Sequence, residues 1–181
     1  MKTRRQLMIL VQSLLLIFLL GCSNKSEALE FLNYQDDKNH FTIDYPANWS
    51  IDTTQNGINV MFDSPKEDEQ DVNTESLSVT ALQLPQEANL SIGKYKDGII
   101  DTVKKQSPWI KVEDSKELTV NGNPALQISY SGKRNNLDAS FQLTYIIKGN
   151  TGYVLTYACL LNEKEKNSII EKMINSFAIT Q

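Results

Sequence analysis

Ser91-Ile-Gly-Lys94 places a hydroxyl and an amine three residues apart at the start of a helical pattern. Positions i and i+3 face each other on a helix, so this is the nucleophile–base spacing of Ser-Lys acyl transfer. Penicillin-recognising sites of that kind also carry Ser-Asp-Asn and Lys-Thr-Gly elements. Neither occurs in this chain; Asn150-Thr-Gly152 approaches the second but lacks the lysine. Ser91 therefore reads as a helix cap. His40 is the only histidine and lies in a polar stretch beside Asp36, Asp37 and Lys38, where a solvated ring is expected, not a triad member. Gly-x-Ser-x-Gly, Walker A and Gly-x-Gly-x-x-Gly motifs are missing. No catalytic residue and no cofactor are assigned.

Two further clusters hold charge. Asp63 to Glu75 contains six carboxylates and a single base, Lys66. Oxygen-rich loops bind Ca²⁺, and Asp71-Val-Asn73-Thr-Glu75 begins like an EF-hand. Its sixth position is Ser76 where glycine is needed, and the segment then runs into a strand pattern. A solvated, mobile acidic loop is the expectation, and no metal site is assigned. Lys94, Lys96, Lys104 and Lys105 give one helix a basic outer face, expected to be solvated. An anionic lipid or wall polymer would be its natural weak contact.

The two cysteines have separate fates. Cys159 falls in an apolar run and reads as a buried, inert thiol. Cys22 closes Leu19-Leu20-Gly21-Cys22, after an apolar run from Leu7 to Leu20 with Lys2, Arg4 and Arg5 ahead of it. Those 14 residues would make a helix of about 21 Å, short of the roughly 30 Å hydrocarbon core of a bilayer. The tripartite pattern is that of an export signal. Leu-x-Gly-Cys resembles the bacterial lipobox, which implies diacylglyceryl transfer to the Cys22 sulfur and cleavage before it. Acyl chains contribute about 0.8 kcal/mol per buried CH₂, so several anchor a protein that does not span. Residues 1–21 are expected to be the signal peptide, 22–30 the lipidated terminus and polar linker, and 31–181 the folded domain. The expected location is the cell membrane, lipid-anchored, on its extracytoplasmic face. Frequent Lys, Asn and Ile suit a Gram-positive source; in a Gram-negative cell Ser23 would permit outer-membrane sorting.

Composition agrees. The chain has 181 residues and a net charge of −4; removal of residues 1–21 costs three bases and no acid, taking it to −7. That argues against a nucleic-acid partner. One histidine and two cysteines argue against His-rich metal sites, zinc ribbons and a disulfide framework.

The positioning elements are mostly strands. Phe41, Ile43 and Tyr45 alternate with Thr42 and Asp44, Pro46 ends the strand, and Trp49 and Ile51 resume the same parity. Ile58, Val60 and Phe62, then Leu77, Val79 and Ala81, repeat the pattern. From Ser91 to Gln106 the period becomes helical, with Ile92, Tyr95, Ile99, Ile100 and Val103 on one stripe and Ser107-Pro108 as its stop. Ile110 to Val120 is a long imperfect strand, and Asn121-Gly122 is a tight hairpin turn. Ala125 to Tyr130 returns, 131–136 is expected to be a loop, and Phe141, Leu143, Tyr145 and Ile147 alternate with polar residues. Gly149 to Gly152 turns again. Tyr153 to Leu161 is apolar on both faces, as for a central, covered strand. Asn162 with Glu165 opens a last helix whose buried stripe is Ile169, Ile170, Met173, Ile174 and Phe177. Strands, helix, strands, helix with hairpin turns predict an α+β fold, an antiparallel sheet flanked by helices.

Phe41-Thr-Ile-Asp-Tyr-Pro-Ala-Asn-Trp49 resembles the Phe-x-Ile-x-Tyr-Pro-x-x-Trp opening of the PsbP-like family. Val60-Met-Phe-Asp-Ser-Pro65, Asn121-Gly-Asn-Pro-Ala125, Gly152-Tyr-Val-Leu-Thr-Tyr157 and Ser176-Phe177 follow in that family's order. The resemblance covers about 31–181 and implies an α/β/α sandwich. It implies binding roles: plant members are extrinsic photosystem II subunits that help retain calcium and chloride, and a relative of the fold binds the Ran GTPase. A photosystem role does not carry over, because a lipobox stands where a thylakoid transit peptide would. Tyr45 and Trp49 are expected to form a structural corner around Pro46. The expected function is that of a membrane-anchored, non-enzymatic module binding or stabilising an envelope partner. The alternative is a small-ligand or metal-ion binding lipoprotein that uses a cleft near Trp49 or the acidic loop.

Overall fold

The computed structural model describes residues 29–66, 75–85, 92–106, 110–134, 136–161 and 167–180. Among these residues ten strands and two helices follow in the order β1 (Phe31–Asp36), β2 (Phe41–Pro46), β3 (Ser50–Asp52), β4 (Val60–Asp63), β5 (Ser76–Gln83), α1 (Ile92–Gln106), β6 (Lys111–Val120), β7 (Asn123–Arg134), β8 (Leu137–Lys148), β9 (Thr151–Leu160), α2 (Asn167–Ser176) and β10 (Ala178–Ile179). All strand pairs are antiparallel. The architecture is the expected α+β class, but the strands form two sheets. One has the order β1-β2-β10; the other runs β3-β4-β5-β9-β8-β7-β6.

The main core fills the space between the sheets. Phe41 and Ile43 of β2 meet Phe62, Leu77, Val79 and Leu155 of the large sheet, and one side is closed by Ile170, Met173 and Ile174 of α2 and by Phe177 just after it. These are four of the five residues expected in the stripe; the fifth, Ile169, is only partly buried. The last turn of α2 is tied to β2 through Ser176, whose Oγ accepts the Asp44 N–H at 2.8 Å and donates to the Met173 carbonyl at 2.7 Å. A smaller cluster lies on the opposite face of the large sheet, where Ile92, Ile99 and Ile100 of α1 cover Leu126 and Ile128. One helix on each face makes the sandwich. β9 is the middle strand of seven, and its odd residues Tyr153, Leu155, Tyr157 and Cys159 are buried in the main core. Its even residues are less uniformly covered, because α1 sits over β7 and β8.

Several boundaries differ from the sequence reading. β1 and β10 were not expected; β1 pairs along its whole length with β2, Phe31 opposite Pro46 and Asp36 opposite Phe41. Residues 131–134 of the expected loop are strand instead: β7 continues to Arg134 and pairs with Leu137 to Ser140, secured by an ion pair of 2.7 Å between Lys133 and Asp138, and the expected turn is kept at Asn136. Thr151 and Gly152 belong to β9, so that turn shrinks to Gly149-Asn150. Ile51 keeps the parity of Phe62, its partner, yet is 41% exposed because β3 is the sheet edge. The Asn121-Gly122 turn is as expected, with φ of 44° and 79°, the two left-handed residues of a type I′ hairpin. The imperfection expected in β6 is a register shift between Val112 and Asp114. The expected caps Ser91 and Asn162–Glu165, and the Ser107-Pro108 stop, lie outside the described residues.

Candidate functional site: a polar groove under the last helix

The face of the large sheet that looks toward α2 changes character row by row. Antiparallel pairing puts Leu118, Ala125, Ile146 and Tyr153 side by side, and this row is part of the main core. Two residues along each strand, the next row is Lys116, Gln127, Thr144 and Leu155. Two further on it is Asp114, Ser129, Gln142 and Tyr157. Side chains two apart on a strand share a face, so the apolar floor becomes polar along one direction. α2 supplies the opposite wall with Ile170 and Ile174 and, one helical turn apart, Glu171 and Asn175. Between them is a groove of about 400 Å³, within the roughly 300–1,000 Å³ of small-ligand pockets.

Two residues of the sheet rows beneath it are desolvated. Thr144 is fully buried and Gln127 is 9% exposed. Gln127 Nε2 reaches Thr144 Oγ1 only at 3.5 Å, a long and weak hydrogen bond. Among the described residues, the side chains of Asp114, Lys116, Ser129, Gln142, Glu171 and Asn175 make no hydrogen bond or ion pair with the rest of the chain. The groove thus presents carboxylates on both walls, one ammonium, three carboxamides and a hydroxyl. It can bind by hydrogen bonding.

The residues singled out from the sequence lie elsewhere. His40 is exposed in the β1–β2 turn with φ of 58°, and its carbonyl accepts the Thr180 N–H at 2.9 Å. Tyr45 stacks on Phe62 with centroids 5.0 Å apart, and Trp49 is 6% exposed, its N–H bonded to the Pro46 carbonyl at 2.9 Å. Both are corner residues. Ser91 lies outside the described residues, as does the Lys94 side chain, so the Ser-x-x-Lys pair has no geometry here. Lys104 and Lys105 are exposed in the last turn of α1, where they suit the helix dipole.

Of the 63–75 acidic segment, residues 67–74 lie outside the described residues, and its two ends are not solvated as expected. Ser64 and Glu75 clasp each other through Ser64 N–H to the Glu75 carbonyl at 2.9 Å and Glu75 N–H to Ser64 Oγ at 3.0 Å. Glu75 is 2% exposed, and its Oε1 accepts the Tyr157 hydroxyl at 3.1 Å. Burial, with Cys159 and Glu75 alongside, holds the Tyr157 phenol far above its ordinary value. Desolvation raises the Asp63 carboxyl, opposed by Arg134 and reinforced by Asp52. Among the described residues no group of three His, Cys, Asp or Glu side chains could hold a metal ion. Cys159 is buried, as expected. Cys22 and residues 1–28 lie outside the described residues; among those described, no helix is long and apolar enough to cross a membrane.

Three solved structures share this arrangement. Cyanobacterial PsbP (CyanoP) from Synechocystis sp. PCC 6803 superposes with a TM-score of 0.62 at 16% identity, covering 88% of this chain and 98% of that one. LpqN of Mycobacterium tuberculosis, described as involved in cell envelope biogenesis, gives 0.61 at 14% identity over 87% and 94%. The Ran-binding protein Mog1p of Saccharomyces cerevisiae gives 0.58 at 10% identity over 85% and 97%. At such identities the likeness concerns the fold alone. No curated protein matches the chain. The profile of the PsbP-like proteins, however, matches residues 21–179, nearly the entire sequence. With the two-sheet, two-helix topology and the Tyr-Pro-x-x-Trp corner in place, the chain belongs to the PsbP-like family.

Proposed function

We propose that this protein is an extracytoplasmic lipoprotein, anchored through Cys22, whose PsbP-like domain is a non-enzymatic binding or stabilising module of the cell envelope. The observation that carries the reading is the N-terminal pattern: three bases, 14 apolar-dominated residues and Leu-x-Gly-Cys, eight residues ahead of the first strand. Eight extended residues reach at most about 28 Å, which keeps the domain close to its membrane. The involvement of LpqN in cell envelope biogenesis supports the same compartment. The polar groove supports a binding role, because its lining offers unpaired donors and acceptors.

The test is cell fractionation of the native chain and Cys22→Ser after labelling with palmitate. The native chain incorporates label, sediments with membranes and is digested by protease added outside the cytoplasmic membrane. Cys22→Ser loses the label and accumulates as a larger precursor. Equal labelling of both, or a protease-protected cytosolic product, overturns the proposal.

A further inference from the structure

The groove beneath α2 has a chemistry that selects among ligand classes. Gln127, Ser129, Gln142 and Asn175 each offer both a donor and an acceptor. Asp114 and Glu171 only accept, and Lys116 only donates. The complement is a ligand rich in groups that themselves donate and accept, with donors in excess. Hydroxyl groups meet that description. Leu118, Ile170 and Ile174 leave an aliphatic strip along the same groove, suited to a face of C–H bonds. The lining carries two carboxylates and one ammonium, one net negative charge.

The competing classes fit less well. A phosphate or other multivalent anion would face carboxylates on both walls. A wholly apolar ligand would strip water from the floor amides without replacing it, at about 1–3 kcal/mol for each group left unsatisfied. A polypeptide added to the outer edge of β6 would meet a strand bearing Lys111, Glu113, Asp114, Lys116 and Glu117, with a register shift after Val112. Edge charges and irregular pairing are how sheet edges resist strand addition.

We infer that this groove is a saccharide site, taking a neutral or singly cationic mono- or disaccharide between the Asp114–Ser129–Gln142 row and the Glu171–Asn175 turn of α2. The inference deepens the binding role proposed above by naming its ligand class. It does not depend on the anchor.

The experiment uses the full chain in a zwitterionic, sugar-free detergent and reads the side-chain amide resonances of Gln127, Gln142 and Asn175 by NMR. The probes are a panel of neutral hexoses, disaccharides and amino sugars, with inorganic phosphate and a mixed-sequence tetrapeptide as competitors for the assignment. At least one saccharide should shift these three amides saturably. Gln142→Leu and Glu171→Ala should each weaken that binding at least tenfold while the rest of the spectrum stays folded. The assignment is overturned if no saccharide shifts them, if phosphate or peptide shifts them instead, or if saccharide binding survives both substitutions. A silent groove leaves palmitate labelling of Cys22 unaffected, and an unlabelled Cys22 leaves the amide shifts unaffected, so the two proposals fail separately.

Discussion

Met173→Ala tests whether α2 seals the space between the two sheets, the arrangement that creates the groove. Met173 has no exposed surface and lies in the one core cluster that joins β2, the large sheet and α2. The substitution deletes the three side-chain atoms beyond Cβ. Truncating a buried Met, Leu or Ile to Ala costs about 2–5 kcal/mol, the loss of transfer energy plus the cavity left behind. Methionine's neighbours relax more readily than a β-branched core does, so about 3 kcal/mol is expected. In a domain of this size each kcal/mol lowers Tm by roughly 2–4 °C, giving a drop of about 6–12 °C. Against a total stability of about 5–15 kcal/mol the variant still folds. Urea unfolding followed by far-UV circular dichroism and tryptophan fluorescence measures it. Glu171→Ala, two residues earlier and exposed, should stay within about 0.5 kcal/mol of the native chain. A Met173→Ala loss below about 1 kcal/mol would refute the packing argument, because a collapsible site there means α2 is not clamped between the sheets.

Three further outcomes follow from named residues. Gly122→Val puts a β-branched residue at φ 79° and should cost about 1–2 kcal/mol, read as a lower urea midpoint; Gly98→Ala, in the open middle of α1, should instead be neutral or stabilising. Burial, helped by Tyr130, pushes the Tyr145 phenol up to about 12. The folded state therefore holds its proton where the unfolded chain has lost it, so stability is level below pH 10 and falls as pH rises from about 10 to about 12, measured by urea unfolding across that window. Tyr145→Phe should flatten part of the fall, and an unchanged slope would count against the assignment. Cys159 should resist a thiol reagent in the native protein and react once unfolded, and the proposed thioether at Cys22 predicts one thiol per chain; two reactive thiols contradict that proposal.

How far the fold was legible depends on where apolar residues alternate. β2, β4 and β5 announce themselves through Phe41/Ile43, Val60/Phe62 and Leu77/Val79, all fully buried. The helical stripe Ile170–Met173–Ile174–Phe177 did the same for α2. β1 was silent because it flanks a three-stranded sheet and Leu32, Asn33 and Gln35 are exposed. Ser131 to Arg134 carries no apolar residue, yet it is strand, since Gly132 and Lys133 are held by the β8 ladder opposite Ala139 and Asp138. The groove was illegible for a related reason. In β8, Gln142 and Thr144 alternate with Phe141, Leu143 and Tyr145, and alternation alone assigns the polar set to solvent. In the fold that set faces α2: Thr144 is fully buried and Gln142 half-buried, while on the other face Leu143 is buried and Phe141 and Tyr145 are only partly covered. A polar row placed inside by the closing helix has no signature in one strand's periodicity; it emerges from the pairing of three strands. Glu75 is a second case, a carboxylate at the end of an acidic run that tertiary pairing with Tyr157 draws into the core.

The most direct test of the anchored-module account is intact-mass and N-terminal peptide spectrometry of the native protein from its own membranes. The account predicts a chain beginning at Cys22, heavier than residues 22–181 by a thioether-linked diacylglyceryl group, with Met1–Gly21 absent. A mature chain beginning at another residue, or carrying an unmodified Cys22 thiol, contradicts it.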